Sequence, residues 1–256
     1  MPYDIFNNQI VNPFPFAAAI PNQFSANNLS VTAGRANGYV ATSATSGVVV
    51  RATTYTPQGA NAQRSVNSTS ASDASAGTGA RTIIINYLDT SFVTHSETIT
   101  LNGVTAVNTV GTNIAFIESI QVVTVGSGGG NVGTIQVWTA TGGTGSVWGS
   151  IAASDNQTFW AHHYVPTGVN CYILNLTGGA TVVAGQTNIN SITNPLVSTN
   201  PQMQQGCTIV HQAAGTWDHD YEVPLVITGP SLVWATERPV AVTASTAIAS
   251  FDYIQF

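Results

Sequence analysis

From residue 80 to the C-terminus the chain is a succession of short runs of strand-forming residues: IIINYL, FVTHSETITL, FIESIQVVTV, TIQVWTA, QTFWAHHYV, CYILNLT, CTIVHQ, EVPLVIT, SLVWAT and PVAVTAS. NG, SGGGN, TGGTG and TGG separate them. Branched and aromatic side chains suit a pleated, half-buried surface, and glycine supplies the positive φ that tight turns need. A helical period is nearly missing, with VGTNIAFIESI the one weak candidate. No unit recurs at a fixed period, which argues against a propeller or a β-helix. The pattern predicts an all-β protein, a β-sandwich of two packed sheets and specifically a jelly roll, over residues 79–256.

The stretch RTIIINYLDTSFVTHSETITLNGVTAVNT at residues 81–109 reads as a hairpin followed by a third strand. Pairing residues whose numbers sum to about 180 puts Ile83, Ile85, Tyr87, Val93 and Ile99 on one face. Thr94, Ser96, Thr98 and Thr100 then form a hydroxyl-rich opposite face. His95 and Glu97 fall on the apolar side, where a polar pair is either a chemical site or a satisfied contact near a sheet edge; the second reading is preferred.

Residues 1–78 have another character. In NPFPFAAAIPNQF the prolines break helix and sheet alike, while Phe14, Phe16 and Phe24 offer apolar anchors. This segment reads as an extended N-terminal arm seated on a neighbouring subunit or shell, or as a strap across its own domain. GYVAT and SGVVVRATTY suggest a small hairpin unit, and SVNSTSASDASAGTG reads as a linker or long exposed loop, with a domain boundary near residue 78.

With 256 residues, 43% of them hydrophobic, a sizeable core is available. Only 6% of residues are charged and lysine is missing altogether, so the surface must be wetted by Thr, Ser, Asn, Gln and Gly. Little like-charge repulsion then opposes dense self-association. The net charge is −6, and the five arginines, Arg35, Arg51, Arg64, Arg81 and Arg238, are scattered singly. Phosphate recognition needs clustered cations, so direct nucleic-acid binding is not expected. Neither a basic amphipathic run nor a long apolar span points to a membrane, and MPYDIFNNQI lacks the features of a signal peptide, so synthesis in a cytosol is expected. In that setting Cys171 and Cys207 are expected as buried free thiols rather than a disulfide, and the Asn-x-Ser/Thr matches at Asn28, Asn67, Asn156 and Asn175 as coincidences.

The chemical motifs are weak. Gly128, Gly130 and Gly133 match G-x-G-x-x-G, but a strand follows instead of the helix that would receive a pyrophosphate, so GSGGGNVG reads as a hairpin loop. Adjacent His162 and His163 on a strand point to opposite faces and cannot share one ion, unlike the spaced histidines of cupin metal sites. Asp218, Asp220 and Glu222 alternate onto one side, which allows a Ca²⁺ site, although an exposed acidic segment is the preferred reading. No nucleophile motif or cofactor signature can be assembled, a glycosidase pair among the eleven acids is possible but unsupported, and neither catalytic residue, bound metal nor cofactor is expected. Trp138, Trp148, Trp160, Trp217 and Trp234 could stack on sugars, but core or interface positions suit them better. The aromatic tail ending in FDYIQF reads as a terminal strand closing the sheet.

GARTIIINYLDTSFVTHSETITLNGVTAVNT and FIESIQVVTVGSGGGNVGTIQV, spanning roughly residues 79–140, resemble virion structural proteins of tailed bacteriophages, a group that includes capsid decoration (cement) and head-fibre proteins. The resemblance implies a non-enzymatic particle protein acting within the virion as a homo-oligomer, with a trimer favoured, against the major capsid protein or other virion proteins. A place in the tail, baseplate or fibre, with a carbohydrate receptor, is the alternative. Low charge and hydroxyl-rich strands suit close contacts with copies of the same chain and with a shell.

Overall fold

The computed structural model describes residues 32–43, 48–49, 53, 55, 58–180, 188–193, 208–211, 215–239 and 245–256. Phe14, Phe16, Phe24, Arg51, Cys207 and the centre of PVAVTAS lie outside them. The strands are β1 (Thr32–Ser43), β2 (Val48–Val49), β3 (Ser65–Ser68), β4 (Ala80–Leu88), β5 (Thr94–Thr100), β6 (Val107–Asn108), β7 (Phe116–Val125) and β8 (Ile135–Trp138). They continue as β9 (Val147–Ile151), β10 (His162–Val165), β11 (Asn170–Ala180), β12 (Asn188–Thr193), β13 (Thr208–His211), β14 (Gly215–Thr228), β15 (Ser231–Pro239) and β16 (Ser245–Gln255). Among the described residues the only helical element is a single 3-10 turn at Thr141–Gly143. The protein is all-β, and its antiparallel sheets are arranged as expected of a β-sandwich.

Two larger sheets have strand orders β1-β16-β11-β14 and β10-β15-β12-β13, with β2 added beside β15. Their pairing is nested: β1 with β16, β10 with β15, β11 with β14 and β12 with β13. Between β2 and β10 the chain builds two further sheets, β6-β3-β8-β9 and β5-β4-β7. These enclose a core that includes Val66, Ile83, Ile85, Ile117, Ile120, Ile135, Val137 and Trp148. We call residues 58–161 the inserted module. A second core of Ala36, Val165, Cys171, Ile173, Leu176, Ile227, Val233 and Phe251 lies between the two larger sheets. Consecutive residues point to opposite faces of a strand, so Tyr164 and Leu232 enter the first core while Val165 and Val233 enter the second. The β10/β15 region is therefore covered on both sides.

Several expectations change in detail. The β4–β5 hairpin pairs Thr82 with Thr100 and Tyr87 with His95, and Ile83, Ile85, Tyr87 and Ile99 are buried, but Val93 is 50% exposed because it precedes the strand. Among the described residues β1, which carries GYVAT, and β2 (Val48–Val49) are not paired with each other: β1 pairs with β16 and β2 with β15, whose residues come from the far end of the chain. The tail is a strand, but it lies between β1 and β11 instead of closing an edge. SVNSTSASDASAGTG is neither linker nor exposed loop: β3 pairs with both β6 and β8, Val66 is fully buried, and Asp73 gathers the segment around its carboxylate. GSGGGNVG joins strands of different sheets instead of forming a hairpin. Gly129 has φ +77°, whereas Gly126 is required for proximity, because a Cβ there would lie 2.2 Å from the Gly77 carbonyl oxygen.

Candidate functional site

Where the inserted module meets the larger sheets, a cleft of about 230 Å³ is lined by Arg35, Glu118, Ser119, Gln121, Gln157, Trp160, His162, His163 and Tyr253, among others. β7 presents Glu118 between buried Ile117 and Ile120, and β10 presents two buried histidines. As the sequence predicts, these diverge. The His162 ring packs beside Tyr55 and Trp160 in the first core, while His163 stacks on Tyr253 with ring centroids 4.0 Å apart.

Glu118 ties both histidines together. Its Oε2 lies 2.5 Å from His163 Nδ1, and its backbone oxygen lies 3.1 Å from His162 Nε2. The Tyr164 N–H also donates to the carboxylate, at 3.2 Å. On the other side of the ring, His163 Nε2 lies 2.8 Å from Gln255 Oε1. Burial lowers the His163 pKa, but the charge and hydrogen bond of Glu118, with the bond to Gln255, outweigh it and hold it above the ordinary imidazole value. Both ring nitrogens are thus engaged, Nδ1 by the carboxylate and Nε2 by the amide, and neither is free for proton exchange with a ligand. Chemically, the arrangement is a charged clamp between β7 of the inserted module and β10 and β16 of the larger sheets. At the cleft mouth Arg35 and Asp252 form a two-pronged ion pair, 2.5 Å and 2.6 Å.

A raised folded-state pKa contributes stability that is fully present below the unfolded value, about 6.5, and lost as pH rises through the folded value. Unfolding free energy should therefore fall as pH rises above about 6.5 toward the folded value, by at most about 1.4 kcal/mol per pH unit for one proton. Glu118→Gln should flatten this limb in urea titrations run at several pH values. An unchanged slope in that variant would show that the clamp is not its source.

His95 Nε2 lies 3.0 Å from Asp89 Oδ2 and 3.2 Å from Asn113 Nδ2, and the ring stacks on Tyr87. Glu97 accepts the N–H groups of Val110 and Gly111 at 2.8 and 2.7 Å. Both residues thus hold neighbouring loops, the structural reading of the pair. Asp218 and Asp220 are exposed on β14, and among the described residues no three His, Cys, Asp or Glu side chains gather as a metal site would require. Trp148 and Trp160 are buried, and Trp138 donates to Asn67 Oδ1, which leaves these three poorly placed as sugar platforms. Cys171 is a buried free thiol whose pKa burial pushes up. The described residues contain no helix long and apolar enough to cross a membrane.

Sequence reasoning missed Glu118 because its partners come from distant strands. It also missed Asp73, where the available signal was a single carboxylate set among Ser and Gly residues rich in free N–H and O–H groups.

No protein-family profile and no curated protein matches the chain. Similar solved structures include the VP2 subviral particle of infectious bursal disease virus, at 8% identity over 88% of this chain and 75% of that one, with a TM-score of 0.20. The T13 particle of the same virus gives 8% identity, 88% and 76% coverage, and 0.18; its Gx strain gives 10%, 89% and 80%, and 0.18. Likeness at this level does not establish a shared fold.

Proposed function

We propose that this protein is a non-enzymatic structural component of a tailed-bacteriophage particle, a capsid decoration (cement) protein built on a jelly roll. The observation that carries the reading is the nested pairing. Lettering β1 and β10–β16 from B to I in chain order turns the two sheets into B-I-D-G and C-H-E-F. That order is what an antiparallel ribbon gives when its ends pair and it rolls into two sheets, an architecture used by capsid proteins among others. On this reading residues 58–161 are an insertion between strands B and C, which replaces a division of the chain at residue 78. The 6% charged composition supports close packing among copies and against the major capsid protein, with a trimer proposed from the resemblance alone.

Particles stripped of the protein should lose tolerance to heat and regain it when the full chain is added back. Loss of host adsorption with unchanged heat tolerance would instead favour a tail or receptor-binding role. The arm is the tether in this scheme, each of Phe14, Phe16 and Phe24 gaining about 1.5–3 kcal/mol on burial against the shell, less the cost of ordering. A chain lacking residues 1–28 should keep its circular dichroism spectrum yet bind stripped particles at least tenfold more weakly. Equal binding by the truncated chain would show that the arm is not the tether.

A further inference from the structure

Charge in the cleft is compensated within the chain. Glu118 is met by His163 and Arg35 by Asp252, so the wall favours neither a free anion nor a cation. Ala36 is the one aliphatic residue among the described lining, which disfavours lipids and apolar peptide side chains. Several polar groups of the wall nevertheless have no partner. Gln121 and Gln157 face each other across an isolated β-bridge, so their amides lie side by side, and among the described residues neither amide makes a hydrogen bond. The same holds for the half-buried Tyr253 hydroxyl. Its ring lies across Gly34 of the paired strand, where a Cβ would come within 2.5 Å of the Tyr253 oxygen. The Ser119 hydroxyl accepts from Asn86 Nδ2 at 3.0 Å and keeps its own proton to donate. Glu118 Oε1, 3.4 Å from the Tyr164 N–H, retains lone pairs for a further donor.

We propose that this cleft binds one uncharged pyranose unit of a glycan chain, through the amides of Gln121 and Gln157 and the hydroxyls of Ser119 and Tyr253. Amides and hydroxyls both donate and accept, and a sugar ring presents several uncharged groups of the same kind close together. At about 230 Å³ the cleft is smaller than the roughly 300–1,000 Å³ of sites for drug-sized ligands, which limits it to a single ring. A chain is favoured over a free sugar because the wall continues outward. Ser119 lies opposite Asn86 and Gln121 opposite Ile84, and in the same rows β5 adds Ser96 and Thr98. These cross-strand rows carry no charge, so further units can lie over them. With both His163 nitrogens engaged, the glycan is held and not cleaved. The site does not rest on the virion reading, since it is built from this chain alone.

The full chain, applied to an array of immobilised neutral, sialylated and sulfated glycans, tests the proposal. Neutral glycans should bind and anionic ones should not, with little loss in high salt. Trp160 lines the cleft, so titration with the free oligosaccharide of a bound glycan should change tryptophan emission. Replacing both amides, Gln121→Ala with Gln157→Ala, should weaken binding at least tenfold, while Ala153→Lys, on an exposed turn, leaves it unchanged. Gln121 and Gln157 are exposed, so the double variant retains the fold. Binding of anionic glycans alone, no binding to any glycan up to millimolar concentration, or undiminished binding by the double variant overturns the proposal. A cleft that takes a free monosaccharide but rejects every chain overturns it as well.

Discussion

Asp73→Ala should cost about 3–5 kcal/mol of stability, because it orphans a set of buried donors at once. The carboxylate is fully buried. Its Oδ1 accepts the N–H groups of Ala80 and Val132 at 2.8 and 2.9 Å, and its Oδ2 accepts the Ser68 hydroxyl and the Gly133 N–H at 2.6 and 2.8 Å. One side chain thereby fastens β3, the start of β4 and the approach to β8. Burial pushes the Asp73 pKa up, but these four bonds outweigh it and hold the carboxyl below its ordinary range. Its contribution is therefore present above the unfolded value, about 3.9, and lost as pH falls through the folded one. Asp73→Asn keeps an acceptor for one pair of donors but turns an amide N–H₂ toward the other, so about half the loss is expected. Urea denaturation of the full chain at neutral pH measures both variants. A loss under about 1 kcal/mol in the alanine variant would show that the knot does not hold the module.

Arg64→Ala should be nearly as damaging, at about 3–5 kcal/mol, for a different reason. Arg64 is 4% exposed, and the four backbone bonds of its guanidinium run to Ile114 O twice, Thr139 O and Ala60 O, at 2.6–3.1 Å. It also lies over the Trp148 ring, 4.5 Å from the centroid. Burial lowers its pKa, and carbonyl dipoles with the aromatic face keep the cation in place. The alanine variant leaves those carbonyls unsatisfied and opens a void against Trp148. Arg64→Lys retains charge but not the planar fork, so a loss of about 2 kcal/mol is expected. Tryptophan emission should shift to the red in the alanine variant, and full stability of the lysine variant would contradict the fork argument.

What the sequence made legible was local. The β4–β5 hairpin could be read because period-2 alternation and the DTS turn sit within one short stretch, and the structure pairs it only about two residues from the expected register. His162 and His163 diverge for the same local reason. The nested pairing could not be read, because β1 finds β16 across most of the chain and alternation fixes a face, not a partner. The Ser/Ala/Gly tract was misjudged since small residues mark both flexible linkers and places where backbones touch. Gly77 and Gly126 show the second case, with a Cβ on Gly77 lying 2.0 Å from the Ser72 carbonyl oxygen. Glu118 was hidden for a related reason: a lone acid in FIESIQVV looks like a solvated strand residue until β10 arrives beside it.

The proposed role, a symmetric and abundant part of a phage shell, can be checked by counting the copies of this chain in purified particles against the major capsid protein by quantitative mass spectrometry. A fixed, high ratio set by the symmetry of the shell is expected, with the protein released from the surface of intact heads. A handful of copies per particle, co-purifying with tails, would contradict it.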